Sequence, residues 1–205
     1  MTKAPRATLP PCVESWRASW SALQASGRAD EFVATLSAAE IESLLRDWRL
    51  AGRADQLPPA AAADGAPWTT WLVMGGRGAG KTRTGAEWVR GLALGLEGFA
   101  PRPTARIALV GETAADVRDV MIEGVSGLLS VHAPHERPAW EPSRRRLEWP
   151  NGAVAQVFSA EDPESLRGPQ FECAWLDEFA KWRQAQEVFD MLQFGLRLGE
   201  RPRQL

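Results

Sequence analysis

The segment that most constrains this chain is residues 75–82, GGRGAGKT, which fits the pattern G-x-x-x-x-G-K-[ST]. Glycines in such a loop let the backbone curl until its N–H groups point inward at phosphate oxygens. An apolar run at residues 71–74 precedes the loop, and a helical pattern over residues 81–96 follows it. This order predicts a strand, a phosphate-binding loop and a helix, the unit found in α/β domains with largely parallel sheets.

The residues of this loop are predicted to hold the phosphates of a nucleotide. Lys81 is expected to reach the β- and γ-phosphates, and the Thr82 hydroxyl is expected to ligate Mg²⁺. The helix that follows presents the positive end of its dipole to the same anion. A Gly-rich turn followed by a capped helix is the alternative interpretation. The predicted nucleotide-binding residues are Gly75, Gly76, Arg77, Gly78, Ala79, Gly80, Lys81 and Thr82.

An acidic pair supplies the second part of the predicted site. Residues 173–178 read CAWLDE, an apolar strand that ends in Asp177 and Glu178. Asp177 is predicted to hold Mg²⁺, and Glu178 to orient or deprotonate an attacking water. Because the pair provides a base for water, it favours an ATPase over a kinase. The alternative is a strand that leads into a solvated acidic turn.

Several arginines are candidates for contacts with phosphate. Arg77 lies inside the loop, where it either touches the γ-phosphate or faces solvent. Arg167 directly precedes a Gly-Pro pair, which predicts an exposed cation that reaches a neighbouring subunit's nucleotide or forms a structural salt bridge. Residues 144–146 are three arginines between Trp140 and Trp149. They either grip a phosphate backbone or form a solvated edge that discourages strand pairing.

Composition and charge limit the remaining classes of protein. The chain has 205 residues and a net charge of −2, so bulk attraction to nucleic acid or to a membrane is not indicated. It has no run of 18 apolar residues, which excludes a predicted membrane span. Cys12 and Cys173 lie far apart, and His132 and His135 are interpreted as loop residues. These features predict a soluble, reduced, cytosolic protein without a zinc cluster or a disulfide framework.

Residues 1–66 and 67–205 differ in pattern, which predicts an N-terminal helical appendage with a linker and a separate α/β domain. In the first part, Ser37 and Glu40 form a capping box that opens a helix ending at Gly52. The apolar stripe of that helix is predicted to consist of Ile41, Leu44, Leu45 and Trp48.

The second part alternates strand and helix patterns. Asn151 and Gly152 between apolar runs predict a β-hairpin, and Thr113 with Asp116 predicts a helix cap. The capped helix is expected to bury Val117, Val120, Met121 and Leu128 on one face. The other predicted elements are strands at 71–74, 106–110 and 171–176, hairpin strands at 145–149 and 153–158, and helices at 81–96 and 183–198.

Three segments together resemble a known family: residues 75–91 (GGRGAGKTRTGAEWVRG), 144–168 (RRRLEWPNGAVAQVFSAEDPESLRG) and 164–182 (ESLRGPQFECAWLDEFAKW). They are similar to the ATPase domain of the large terminase subunit of tailed phages and gene-transfer agents. The resemblance covers residues 66–205. It implies a P-loop fold of the ASCE, RecA-like type, with a β-hairpin insertion, that hydrolyses ATP to drive double-stranded DNA into a procapsid.

The resemblance also implies roles for individual residues. By matching motifs, Lys81 and Thr82 take the nucleotide and metal roles, Asp177 the metal role and Glu178 that of the catalytic carboxylate. Arg77 and Arg167 become further catalytic candidates that face the γ-phosphate.

The implied partners are double-stranded DNA, a portal protein, a small terminase subunit and further copies of the chain in a ring, with no membrane. The implied place is the cytoplasm of a bacterial host, at the portal of a procapsid. The N-terminal helices either contact the small subunit or pack on the sheet, and packing is the favoured interpretation.

A complete large terminase continues with a coupling strand and a nuclease domain, whereas this sequence ends at Leu205. The coupling strand is expected between the strand before the phosphate loop and the strand before Asp177. We therefore expect a C-terminally truncated or split chain without a nuclease domain, poor in hydrolysis on its own. Two alternatives remain: a relic fragment that binds nucleotide without turnover, and a helicase-like P-loop DNA translocase.

Overall fold

A computed structural model of the chain describes residues 9–200 and 203–205. It divides into two compact units, one that ends at Pro67 and one that begins at Trp68. In the described part of the chain, no helix has the length and apolar character needed to cross a membrane.

The first unit is helical. Its elements are α1 (Pro11–Ala25), α2 (Ala29–Ala34), α3 (Ala38–Leu45), α4 (Trp48–Ala51) and a 3₁₀ turn at Ala54–Gln56. The predicted capping box is present: the Ser37 hydroxyl accepts the Glu40 N–H, and the Glu40 carboxylate accepts the Ser37 N–H. The prediction of one continuous helix to Gly52 is wrong, since the chain leaves the helix after Leu45.

Asp47 explains why that helix breaks. Its carboxylate accepts the N–H of Arg49 at 2.9 Å and so begins α4, as an aspartate at an N-cap position does. The same carboxylate accepts the indole N–H of Trp16 at 2.9 Å and thereby joins α1 to α4. Leu45 is 77% exposed, so it does not belong to the predicted apolar stripe.

The second unit is built on a six-stranded sheet with the spatial order β2-β3-β4-β1-β5-β6. The strand β1 lies parallel to both β4 and β5, β5 lies parallel to β6, and β2, β3 and β4 run antiparallel. This mixed α/β architecture confirms the predicted fold class. The strands are β1 (Arg106–Gly111), β2 (Ala139–Glu141), β3 (Arg146–Glu148), β4 (Val154–Ser159), β5 (Cys173–Leu176) and β6 (Arg203–Gln204).

The helices of this unit precede β1 or lie between strands along the chain. They are α5 (Lys81–Leu94), α6 (Ala114–Asp116), which continues as a π-helix (Val117–Ile122), α7 (Leu128–Val131) and α8 (Ala185–Gly195). The Thr113–Asp116 cap forms as predicted. The helix it opens ends at Ile122 and does not reach Leu128, and Val120 is 42% exposed, so its predicted burial is wrong.

The hairpin around Asn151 is confirmed, with β3 and β4 as its strands. Its turn is fixed to the rest of the unit, because the Asn151 side-chain amide donates to the Ala93 carbonyl at 2.8 Å, at the C-terminal end of α5. Since β4 also pairs with β1, the hairpin is continuous with the parallel sheet. The hairpin extends that sheet toward β2, an edge strand that the sequence patterns did not predict.

The predicted strand at residues 71–74 is wrong. Thr70 forms a parallel bridge with Gln204, and the Trp71 N–H donates to the Gln204 carbonyl at 2.9 Å. The chain then runs on to the phosphate loop without strand structure, and Leu72 and Met74 are 71% and 82% exposed. A strand needs a neighbour along its whole length, and among the described residues the pairing of this segment stops at Trp71.

The helix α5 packs very closely against the sheet. Every residue from Thr84 to Ala93 is buried. Gly85 lies directly against the indole of Trp175 in β5, where a Cβ atom would come within 2.1 Å of the ring. A helix can approach a sheet this closely only where it carries no side chain, so Gly85 determines how α5 sits behind the phosphate loop.

Candidate functional site

The phosphate loop adopts the conformation for which its glycines were singled out. Gly78 and Gly80 have φ values of 73° and 83°, in the left-handed region that other residues rarely adopt. Gly80 occupies the N-cap position of α5, and none of the side chains described in the structure caps that helix end. A curled loop that leads into a helix N-terminus is an arrangement suited to an anion such as phosphate.

Lys81, the first residue of α5, folds back over the loop. Its ammonium group donates to the carbonyl of Gly75 at 2.9 Å and to that of Gly76 at 3.4 Å. It also lies 3.5 Å from Glu178 Oε1. The lysine therefore links the phosphate loop to the acidic pair that follows β5.

Asp177 and Glu178 lie at the carboxyl end of β5, at the sheet edge that faces the loop. The Asp177 N–H donates to the Val110 carbonyl at 3.0 Å, which fixes this end of β5 against β1. Burial, together with the neighbouring Glu178 carboxylate, raises the pKa of Asp177 to about 6, while the Lys81 ammonium opposes that rise. A divalent cation would relieve this cost, and carboxylate and hydroxyl oxygens of the Asp177 and Thr82 type are ligands that Mg²⁺ accepts.

Glu178 has an unusual backbone and two cationic neighbours. Its φ and ψ are 55° and 36°, a left-handed conformation that is uncommon outside glycine. Its second carboxylate oxygen lies 3.2 Å from the ammonium of Lys181. The hydrogen bond from Lys181, with further attraction from Lys81, lowers the pKa of Glu178. The carboxylate is therefore ionised at neutral pH.

A cleft of about 580 Å³ opens beside these groups. Residues 70–75 form one wall and residues 175–180 form another, with Phe189 and Leu205 closing the space between them. Lys81, Asp177 and Glu178 are its charged residues, and most of the remaining lining is apolar. The three charged residues therefore lie together in a mostly apolar cleft.

The arginine candidates are placed differently. Arg77 is exposed on the phosphate loop. Arg167 is 70% exposed and pairs with Glu164 at 3.0 Å, and Gly168 beside it has a φ of 106°. Within the described residues, the structure gives Arg167 no hydrogen bond or ion pair to the phosphate loop.

The three arginines at residues 144–146 also differ in their contacts. Arg144 and Arg146 pair with Glu141 at 3.6 and 3.3 Å, and Arg146 also lies 2.7 Å from Glu148. Arg145 is exposed, with a left-handed φ of 49°. Two of the three guanidinium groups are therefore engaged by carboxylates of β2 and β3.

Sequence reasoning missed two residues near the acidic pair. Lys181 contacts Glu178, and Asp116 is close enough that its carboxylate contributes to the raised pKa of Asp177. The signal for Lys181 was its position three residues after Glu178, the spacing at which side chains meet on a helical turn. Asp116 is far from Asp177 in sequence, and its cap motif explained it fully, so no local signal indicated this proximity.

The strand order, the loop before α5 and the acidic pair at the end of β5 together define a P-loop domain. The chain belongs to the terminase large subunit family: residues 72–205 match the family model described as "Terminase large subunit, T4likevirus-type, N-terminal". No curated protein matches the chain by sequence.

Two solved structures are similar to part of the chain. One is the large terminase ATPase domain of Thermus phage P74-26, at 19% identity and a TM-score of 0.41, over 62% of this chain and 54% of that one. The other is an arginine-to-alanine mutant of that domain, at 18% identity and a TM-score of 0.42, over 66% and 58% of the two chains. The chain therefore spans a little over half the length of these structures.

Proposed function

We propose that this chain is the ATPase portion of a terminase large subunit, which binds ATP with Mg²⁺ and hydrolyses it to drive double-stranded DNA into a procapsid. The observation that carries the proposal is the 3.5 Å approach of Lys81, from the phosphate loop, to Glu178, from the end of β5. Phosphoryl transfer to water needs a phosphate-binding loop and a base for the water at one place. Lys81 belongs to that loop, and Glu178 would be the base. Membership of the terminase family supports the same assignment.

Each site residue has a role that follows from its position. The loop from Gly75 to Thr82 would hold the phosphates, with Lys81 exchanging its carbonyl partners for phosphate oxygens. Thr82 and Asp177 would hold Mg²⁺, which screens phosphate charge when bound. Glu178, ionised because of its two lysines, would take a proton from the attacking water.

The proposed partners follow from the family: DNA, a portal protein, a small terminase subunit and other copies of this chain in a ring. Arg77 and Arg167 are the candidates for cations at the γ-phosphate. Arg167 is exposed and sits on a turn shaped by Gly168, which suits a contact with a neighbouring subunit.

The first test is ATP turnover by the purified chain with Mg²⁺. We expect Lys81→Ala to abolish both nucleotide binding and turnover, because it removes the only ammonium that contacts the loop among the described residues. Glu178→Ala should reduce turnover by roughly 10²-fold or more, and leave Mg²⁺-ATP binding intact.

The matched control is Glu123→Ala, which removes an exposed carboxylate after the π-helix and should change neither property. Binding that survives Lys81→Ala would contradict the assigned role of the loop. Nucleotide binding without turnover in the unmodified chain would support the alternative of a fragment that binds ATP and does not hydrolyse it.

A further inference from the structure

The Glu178 carboxylate is shared between two lysines from different elements. Its Oε1 atom lies 3.5 Å from the ammonium of Lys81, and its Oε2 atom lies 3.2 Å from that of Lys181. Lys81 belongs to the phosphate loop and α5, whereas Lys181 belongs to the 3₁₀ turn Phe179–Lys181 that follows β5. Lys81 therefore also belongs to the predicted phosphate site, whereas Lys181 does not.

The turn that carries Lys181 is held in place by backbone and aromatic contacts. The backbone N–H of Lys181 donates to the backbone carbonyl of Glu178 at 2.9 Å, and this hydrogen bond closes the turn. The Phe179 ring packs edge-on against Trp182 at 5.1 Å and against Phe189 of α8 at 6.0 Å. The Lys181 side chain therefore starts from a fixed backbone position, one turn from Glu178.

We propose that Lys181 is the positioning residue for Glu178. When phosphates attract Lys81, Lys181 remains bound to Oε2 and leaves Oε1 directed at the water. The water oxygen then bonds to the γ-phosphorus, its proton passes to Oε1, and the bond from that phosphorus to the β–γ bridging oxygen breaks. This inference rests on the proposed function and names a residue that holds the carboxylate in its reactive orientation.

The charges around Glu178 make the proposal measurable. Lys81, Lys181 and Asp177 are the charged groups that face it, and Asp116 lies near Asp177. The contact with Lys181, at 3.2 Å, is the shorter of the two lysine contacts of Glu178. Removal of the Lys181 ammonium should therefore free the Oε2 atom and slow turnover without changing how the phosphate loop binds ATP.

The test compares Lys181→Met, which keeps the length of the stem, with Lys181→Arg, which keeps the charge. We expect Lys181→Met to lower kcat on the order of 10-fold with an unchanged KM for ATP. Lys181→Arg should restore most of kcat. Arg183→Met is the matched control, because it removes an exposed cation two residues away that does not contact Glu178.

A second readout does not need turnover. At one fixed neutral pH, the NMR resonance of the Glu178 side-chain carboxyl in the full chain should move in Lys181→Met and stay in place in Arg183→Met, because only the former removes a group in contact with the carboxylate. A resonance that does not move would overturn the proposal, as would an unchanged kcat in an active enzyme. If the chain hydrolyses no ATP while the resonance still moves, the proposed function fails and the contact between Lys181 and Glu178 stands.

Discussion

His132 shows how a single buried residue acquires a defined protonation state. The indole N–H of Trp149 can only donate, so the His132 Nε2 atom, 2.8 Å away, must accept. The Nδ1 atom therefore carries the proton and donates it to the Leu128 carbonyl at 2.6 Å. His132 lies just after α7, outside regular structure, as expected of a loop residue, but its ring is buried and joins α7 to the end of β3.

The stability of the chain should depend on the protonation of His132. Burial lowers its pKa from 6.5 to about 4, with Arg90, Glu136 and Arg137 as the charged groups nearby. Because the folded-state pKa lies below the unfolded value, the stabilising contribution is complete above pH 6.5. It falls between pH 6.5 and 4 and is lost below that range, by about 3 kcal/mol in all.

Chemical denaturation of the unmodified chain and of His132→Gln at pH 7.5, 5.5 and 4.5 measures this contribution. Glutamine keeps a donor and an acceptor without a titration in this range. We expect the variant to be less stable at pH 7.5 and the difference to shrink as the pH falls. A difference that stays constant across the three pH values would show that His132 does not titrate on unfolding.

At the scale of elements, the packing of α5 on β5 depends on Gly85. Alanine favours helices over glycine by about 1 kcal/mol, so propensity alone predicts that Gly85→Ala stabilises the chain. The Cβ atom would meet the Trp175 ring at 2.1 Å, and relief requires moving either the helix or a buried indole. Overpacking of this kind costs about 1–3 kcal/mol, so we expect net destabilisation, measured as a lower urea midpoint.

Gly85→Ala combined with Trp175→Phe separates the two effects. The smaller ring removes the atoms that the new methyl group would meet, so Gly85→Ala should be less harmful in the Trp175→Phe background than alone. Equal costs in the two backgrounds would show that the close approach does not limit the position of α5.

The elements predicted well from sequence are those whose evidence is local. The capping boxes at Ser37 and Thr113, the turn at Asn151 and the buried run at β1 each depend on a few adjacent residues, and each forms. The glycine loop and the acidic pair can likewise be located from short spacings of residue types, and their roles in binding phosphate and Mg²⁺ stay predictions.

The features that the sequence did not predict depend on residues that are distant in the sequence. The run at residues 71–74 has the composition of a strand, but among the described residues its pairing with β6 stops at Trp71. That partner lies more than a hundred residues away in the sequence. The shared position of Glu178 between Lys81 and Lys181 depends in the same way on how α5 and β5 approach each other. Pairing partners are a property of the fold, and local pattern does not contain them.

At the scale of the whole molecule, the net charge is only −2, but the charged residues are unevenly distributed. Lys81 and Asp177 gather at the carboxyl edge of the sheet, whereas Arg167 stands apart, exposed on the turn before β5. In the proposed ring, the guanidinium of Arg167 in one copy would face the phosphate loop of the next copy. The salt bridge to Glu164 is exposed and worth little, so it would not oppose this exchange.

This arrangement makes a prediction about mixtures of two inactive variants. Arg167→Ala and Glu178→Ala should each lose activity, the former by roughly 10³-fold if its guanidinium stabilises the transition state. In a mixed ring, an intact site on an Arg167→Ala copy receives the Arg167 of a Glu178→Ala neighbour. Turnover by the mixture should therefore exceed that of either variant alone and rise with protein concentration. A mixture no more active than its components, while each still binds Mg²⁺-ATP, would place the action of Arg167 within its own subunit or outside catalysis altogether.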